Sequence, residues 1–289
     1  MSAYRPSPRP NFDEATPLRR SDVVTYTWGD EGSGEVQDWI YVSSEKIHQL
    51  VFGLPPGGVF RHSDEFRTIF AADEVLYVLS GTMLLADPST GETHRVETGE
   101  AAFFRRDTWH HAYATGGEAL RVLEMFAPPP AAGASGSYAR SQPLLQEVRL
   151  GDDRALGATV PGEAPSAPDS IRVLRRADLR WRLEPATPAP IAVGLFASTE
   201  HLTVGTFGLD AGTRGEWHTH AGDECGYVLD GTLALAVDGP DARRWFELNP
   251  GDGWYVPEGV EHRYQAHEGD VRAVFATAPS YQSEMEGTP

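Results

Sequence analysis

The chain of 289 residues repeats itself, and this duplication limits its fold more than any single motif does. Asp73-Glu74-Val75-Leu76-Tyr77-Val78-Leu79-Ser80-Gly81-Thr82 matches Asp223-Glu224-Cys225-Gly226-Tyr227-Val228-Leu229-Asp230-Gly231-Thr232 at seven of ten positions. Phe52-Gly53-Leu54 recurs as Phe207-Gly208-Leu209. Gly99 to His110 recurs as Gly251 to His262, eleven residues apart in both copies. Three anchors in one order describe two homologous domains, each long enough to bury its own core. Between them, Pro128 to Ser170 carries seven prolines and five glycines in 43 residues, a linker composition. The expected division is a first domain over 1–130, a linker over 131–170 and a second domain over 171–289. A short helix is expected inside the linker, capped by Ser141, with Pro143 near its start and Leu144, Leu145 and Val148 on one face.

Within each repeat the apolar pattern has the period of a strand. Leu233, Leu235 and Val237 alternate with small or polar residues, and Ser80-Gly81 and Asp230-Gly231 each stand between a pair of apolar runs, which predicts hairpin turns there. Short strands punctuated by Gly and Pro every eight to twelve residues predict an all-β chain of antiparallel sandwiches or small barrels.

Composition excludes several function classes. With 24 Lys+Arg against 42 Asp+Glu the formal charge is −18, which opposes binding to nucleic acid or to anionic membranes. The single cysteine, Cys225, forms no internal disulfide, and by strand alternation it faces away from Glu224 as a small core residue. No signal-peptide core or long apolar run is present, so a soluble cytoplasmic protein is expected. A G-x-S-x-G nucleophile turn is missing, and Gly29 to Gly34 lacks the lysine of a phosphate-binding loop.

The chemistry concentrates in Gly212 to Glu224. Residues two apart in an extended strand share a face, so His218 and His220 point the same way. Glu224 faces them across a short turn, and His262, after the turn at Pro257-Glu258-Gly259, supplies a fourth group. Three imidazoles and one carboxylate suit a first-row divalent ion.

These residues resemble the motifs of the cupin superfamily. Gly212, His218, His220, Glu224 and Gly231 fill the pattern Gly-x5-His-x-His-x3,4-Glu-x6-Gly, and Gly251, Pro257, Gly259 and His262 fill Gly-x5-Pro-x-Gly-x2-His. Because the resemblance covers both halves, the chain looks like a bicupin: two tandem jelly-roll (double-stranded β-helix) barrels. It implies His218, His220, Glu224 and His262 as metal ligands. The first half departs from the pattern. Counting back from Glu74 puts Thr68 and Phe70 where the paired histidines belong, and Arg105 and Asp107 replace the Pro and Gly of the second motif. The first half also carries five extra residues between Gly57 and Glu74, and His62 falls within one residue of a ligand position when counted from Gly57. A second site of His62, Glu74 and His110 is therefore a candidate, the alternative being a barrel without metal. His111 should face away from His110, as packing or surface.

Four protein ligands leave two positions on a six-coordinate ion, and three neutral imidazoles with one carboxylate leave a divalent ion a net charge of about +1, which favours an anionic chelate. The leading expectation, by resemblance to gentisate and quercetin dioxygenases, is an Fe(II)-type dioxygenase acting on a small aromatic or dicarbonyl compound, with Mn, Ni, Cu and Zn as other candidate metals. Two alternatives stay open: a non-redox isomerase, cyclase, lyase or decarboxylase in which Glu216 or a tyrosine moves a proton, and a non-catalytic small-molecule binder. Trp217, Trp254, Tyr255 and Tyr264 are candidate walls, and Arg214 or Arg263 a candidate partner for a substrate carboxylate. By parity Tyr264 shares the face of His262, whereas Trp217 and Arg263 face away. The expected assembly is a monomer or homodimer.

Overall fold

A computed structural model describes residues 6–67, 69–129, 137–144, 170–184, 186–187, 189–239 and 242–279. Its strands form two barrels, each built from one seven-stranded sheet and one smaller sheet, with every pairing antiparallel. In the first barrel the large sheet runs, in spatial order, Ile171–Leu174, Ala101–Phe104, Asp73–Ser80, Leu120–Ala127, His48–Leu54, Gly34–Ser43 and Val24–Asp30. Its second sheet contains Val59–Phe60, His111–Thr115, Thr82–Ala86 and Thr93–Glu97. In the second barrel the large sheet runs Thr16–Leu18, Gly253–Val256, Asp223–Asp230, Val271–Ala278, Thr203–Leu209, Ile191–Ser198 and Arg180–Glu184. The facing sheet is Ala186–Thr187, Arg214–Gly215, His262–Ala266, Leu233–Val237 and Arg244–Leu248. The chain is thus a pair of antiparallel β barrels in tandem, as the repeat predicts.

The central strands of the large sheets are buried on both faces, which is why His48–Leu54 and Asp73–Ser80 read as nearly continuous apolar runs. In Asp73–Ser80, Leu76 and Val78 point into the first barrel, while Val75 and Tyr77 join a core shared with Cys225, Tyr255, Val274 and Ala276 of the second. Val228, Leu233, Leu235, Trp254 and Tyr264 fill the second barrel's own interior. The two barrels therefore pack large sheet against large sheet. At roughly 25 cal/mol per Å² of apolar surface removed from water, this shared core makes each barrel's outer face dependent on the other. Polar bonds cross the same boundary: Tyr41 Oη donates to the Gly251 carbonyl at 2.6 Å, and Gln49 Nε2 donates to the Gly226 carbonyl at 3.0 Å.

Three sequence expectations change. The turns at Ser80-Gly81 and Asp230-Gly231 are not hairpins, because the strands on either side pair in different sheets. They are corners at which the chain leaves one sheet for the other. A glycine is needed at Gly231, where φ is +75° and a Cβ would lie 2.1 Å from the Asp270 carbonyl oxygen. The boundary near residue 170 also moves, since Ile171–Leu174 pairs with Ala101–Phe104 in the first barrel's sheet. Reciprocally, Thr16–Leu18 pairs with Gly253–Val256 in the second. Each arm covers an otherwise open sheet edge, a job that apolar alternation cannot assign to one sheet or the other. Finally, the linker helix spans Ser137–Ser141 and ends where the expected one begins; Leu145 and Val148 lie outside the described residues. Among the described residues no helix is long and apolar enough to cross a membrane.

Candidate metal centre

Backbone pairing assembles the second barrel's histidines and Glu224. His218 forms an isolated bridge with His262, each amide donating to the other's carbonyl at 2.9 Å. Gly259 N donates to the His220 carbonyl at 3.0 Å, so the Pro257-Glu258-Gly259 turn holds the segment that carries the histidine pair. Glu224 is the second residue of Asp223–Asp230 and, by parity with Val228, points into the barrel. One ligand atom from each of His218, His220, Glu224 and His262 lies within 4.8 Å of all the others. His220 Nε2 is 2.8 Å from Glu224 Oε2, and His262 Nε2 is 3.6 Å from Glu224 Oε1.

The donor chemistry fits a divalent transition ion. His218 Nδ1 donates to the Glu216 carbonyl and His262 Nδ1 to the Val260 carbonyl, both at 3.0 Å, which turns each Nε2 lone pair toward the centre. His262 Nε2 is buried without a hydrogen-bond partner, a costly state for a nitrogen that no ligand engages. Burial and the neighbouring His262 lower the His218 pKa to about 4, so its imidazole is neutral at physiological pH. Burial works to raise the Glu224 pKa, but the imidazoles of His220 and His262 outweigh it and hold the carboxyl well below the usual carboxylate range. Neutral imidazoles and an ionised carboxylate are the forms that bind metal.

Two aromatic side chains fix Glu224. Trp254 Nε1 donates to Glu224 Oε1 at 2.7 Å, and Tyr264 Oη donates to the same oxygen. Tyr264 is thus beside the ligand group, as parity predicts, while Trp254 is a hydrogen-bond donor as well as a wall. The sequence signal for that role is Gly226, directly opposite Trp254 across the strand pair. Outer-shell donors of this kind tune metal affinity by about 10- to 100-fold. Trp254→Phe and Tyr264→Phe are each expected to weaken binding of the divalent ion within that range, read by competition against a chromophoric chelator.

The other candidates lie elsewhere. Glu216 is exposed and serves the site through its carbonyl, its carboxylate sitting in the field of Arg263. Arg263 stacks on Trp217 at 4.7 Å and on Trp245 at 5.3 Å, and Arg214 is exposed in the strand Arg214–Gly215. Tyr255 belongs to the shared core and donates to Asp223 Oδ2 at 2.7 Å.

The first barrel does not assemble its candidate site. His62 Nδ1 meets His111 Nε2 at 2.9 Å, Glu74 is hydrogen-bonded to Glu124, and His110 Nε2 stays 3.9 Å from Glu74 Oε1. Among the described residues, His218, His220, Glu224 and His262 form the single group of three or more ligand atoms this close together. The extra residues after Gly57 carry His62 toward His111, which is fully buried. Thr68 lies outside the described residues, and Phe70 stacks on Phe126 at 4.9 Å between ring centroids.

Comparison with known proteins agrees with this architecture. A family model described as a cupin domain matches residues 50–126 and 205–278. An uncharacterised protein of Streptomyces coelicolor is 31% identical over 84 residues, which are 29% of this chain and 76% of that protein. An acireductone dioxygenase of Rhodopseudomonas palustris is 37% identical over 71 residues, 25% of this chain and 41% of the relative, so the chain spans under half of that enzyme. Among solved structures, a putative glyoxylate-induced protein from Pseudomonas aeruginosa superimposes with a TM-score of 0.66 at 16% identity, covering 99% of this chain and 96% of that one. An oxalate decarboxylase from Lactobacillus farciminis superimposes with a TM-score of 0.63 at 14% identity, covering 94% and 87%.

Proposed function

Since the chain belongs to the cupin family, with both halves matched, we propose that its second barrel is a mononuclear metal centre that binds a small anionic substrate and, with Fe(II), acts as a dioxygenase on an aromatic or dicarbonyl compound. The observation that carries this reading is the group of three imidazoles and one carboxylate within 4.8 Å of one another. When bound, the metal would supply Lewis acidity and, as Fe(II), electron transfer between an electron-rich substrate and dioxygen. His218, His220, Glu224 and His262 would hold it. Their three neutral rings and single carboxylate leave positive charge for an anionic chelate. Trp254 and Tyr264 orient Glu224 from the barrel interior and keep its oxygens from turning toward water.

A second reading keeps the metal and dispenses with redox chemistry. Tyr264 favours it, because this buried hydroxyl next to a ligand carboxylate is a proton-bearing group that a decarboxylase or isomerase can use. Oxygen uptake separates the two. Protein loaded with Fe(II) and supplied with catechols, hydroxybenzoates and β-diketones is expected to consume dioxygen in step with substrate. Turnover at full rate without oxygen would overturn the dioxygenase reading in favour of the second.

A further inference from the structure

The two barrels diverge most sharply in what fills them. By register, Leu76 faces Ala102 as Gly226 faces Trp254, and Ala112 faces Leu85 as Tyr264 faces Leu235. Alanines thus stand in the first barrel where the second has an indole and a phenol. Leu76 and Ala112 both line a cavity of about 70 Å³ inside the first barrel.

The walls of this cavity are not those of a plain apolar core. On the large sheet, Asp38, His48 and Glu124 point into it; the pairing register gives their counterparts in the second barrel as Val193, Thr203 and Phe275. Acids have replaced apolar core residues at two of these places, and an imidazole stands for a hydroxyl at the third. Trp28 Nε1 donates to Asp38 Oδ2 at 2.6 Å, and Glu124 is hydrogen-bonded to Glu74 behind it. Glu74 Oε1 and His48 Nδ1 are buried with no hydrogen-bond partner, and their residues are 1% and 6% exposed. Glu74 has lost both donors that Glu224 enjoys, because Ala102 and Ala112 carry none.

Two carboxyls, Asp38 and Glu124, line the cavity, Glu74 stands behind Glu124, and among the described residues no Lys or Arg lines it. The histidines do not supply the missing charge. Burial, aided by the charge of Arg9, lowers the His48 pKa to about 3, and burial lowers that of His110 to about 4, so both rings are neutral. Burial raises the pKa of Asp38, Glu74 and Glu124 alike, and mutual repulsion adds to this at Asp38 and Glu74. Burial therefore favours the neutral forms of these acids in the empty cavity, and a bound cation would draw Asp38 and Glu124 back to their ionised forms, so that cation binding and ionisation reinforce each other. The remaining wall is aromatic: Trp28, Phe60, Phe66, Phe70 and Phe126 surround the space, and ring faces attract a cation within about 6 Å.

We propose that the first barrel is a metal-independent binding site for a small organic ammonium ion, a protonated primary amine with a compact apolar body. Asp38 and Glu124 supply the counter-charge, His48 Nδ1 accepts an N–H, and the aromatic rings enclose the apolar end. A primary amine fits better than a quaternary one because the orphaned His48 Nδ1 calls for an N–H donor. The site does not depend on the metal reading of the second barrel.

Calorimetric titration of the full chain, with and without chelator treatment, tests the proposal using n-butylammonium and benzylammonium against the neutral isosteres butan-1-ol and benzyl alcohol. Saturable binding of an ammonium ion at least about tenfold tighter than its alcohol is expected, unchanged by removal of metal. Glu124→Gln should weaken it by about tenfold or more. Ala112→Phe, which fills the void and leaves every acid in place, should abolish it and guards against misfolding of the first variant. Equal binding of amine and alcohol, binding indifferent to both substitutions, or no saturable binding of either ammonium ion would overturn the proposal.

Discussion

Gly226→Leu is expected to destabilise the protein by about 3 kcal/mol or more, enough to empty the second barrel of its metal group. A Cβ at Gly226 would lie 2.1 Å from Trp254 Cζ2 and 2.3 Å from its Cη2, and Trp254 is itself fully buried and held to Glu224 by its indole N–H. The ring has nowhere to move without breaking that bond. Trp254→Ala alone should cost about 3–5 kcal/mol through the cavity it opens. The first barrel already contains the exchanged pair, Leu76 against Ala102. Combining Gly226→Leu with Trp254→Ala should therefore recover much of the loss, giving a favourable coupling energy of about 1–3 kcal/mol in urea unfolding. Metal affinity should stay low in the double variant, because the indole donor to Glu224 is gone. Costs that simply add would show that the glycine is not there to admit the ring.

Asp223→Ala is expected to cost about 3–5 kcal/mol. Asp223 is buried at the seam between the barrels, next to a ligand. It accepts hydrogen bonds from Ser44 Oγ at 3.0 Å, Tyr255 Oη at 2.7 Å and the Glu258 amide at 3.1 Å, and Lys46 Nζ lies 3.1 Å from its Oδ1. Ser44 and Lys46 belong to the first barrel, while Tyr255 and Glu258 belong to the second. Deleting the carboxylate strands several buried donors at once. Asp223→Asn keeps some acceptors and should lie between wild type and alanine. Denaturant midpoints for the two variants check the order, and an alanine loss under about 1 kcal/mol would mean that the seam is held by its apolar core alone.

The repeat and its strand pattern make both barrels legible, because a strand buried on one face alternates and one buried on both reads as a short apolar run. The metal quartet was legible for the same reason: His218 with His220 is a local spacing, and Glu224 and His262 keep fixed distances from glycine turns. What stayed hidden depended on partners distant in sequence. Nothing in Ile171–Leu174 says that it closes the first barrel's edge, since either open edge would accept its backbone. The corner at Asp230-Gly231 has the residues of a hairpin, and only the pairing of its flanking strands in separate sheets tells them apart. His62 falls within one residue of a ligand position counted from Gly57, yet its ring meets His111 instead. The Gly226–Trp254 and Leu76–Ala102 exchange sits in plain view in the aligned repeats, but its meaning needs the register that sets these residues face to face.

Metal content by mass spectrometry, on protein saturated with Fe(II) or Mn(II) under anaerobic conditions and then desalted, tests the central claim most directly. The expected result is a single divalent ion per chain, lost in His220→Ala and in His262→Ala, and retained in Glu74→Gln and in His110→Ala. A second ion per chain, or an ion that survives the loss of His220 and His262, would contradict the assignment of the centre to the second barrel.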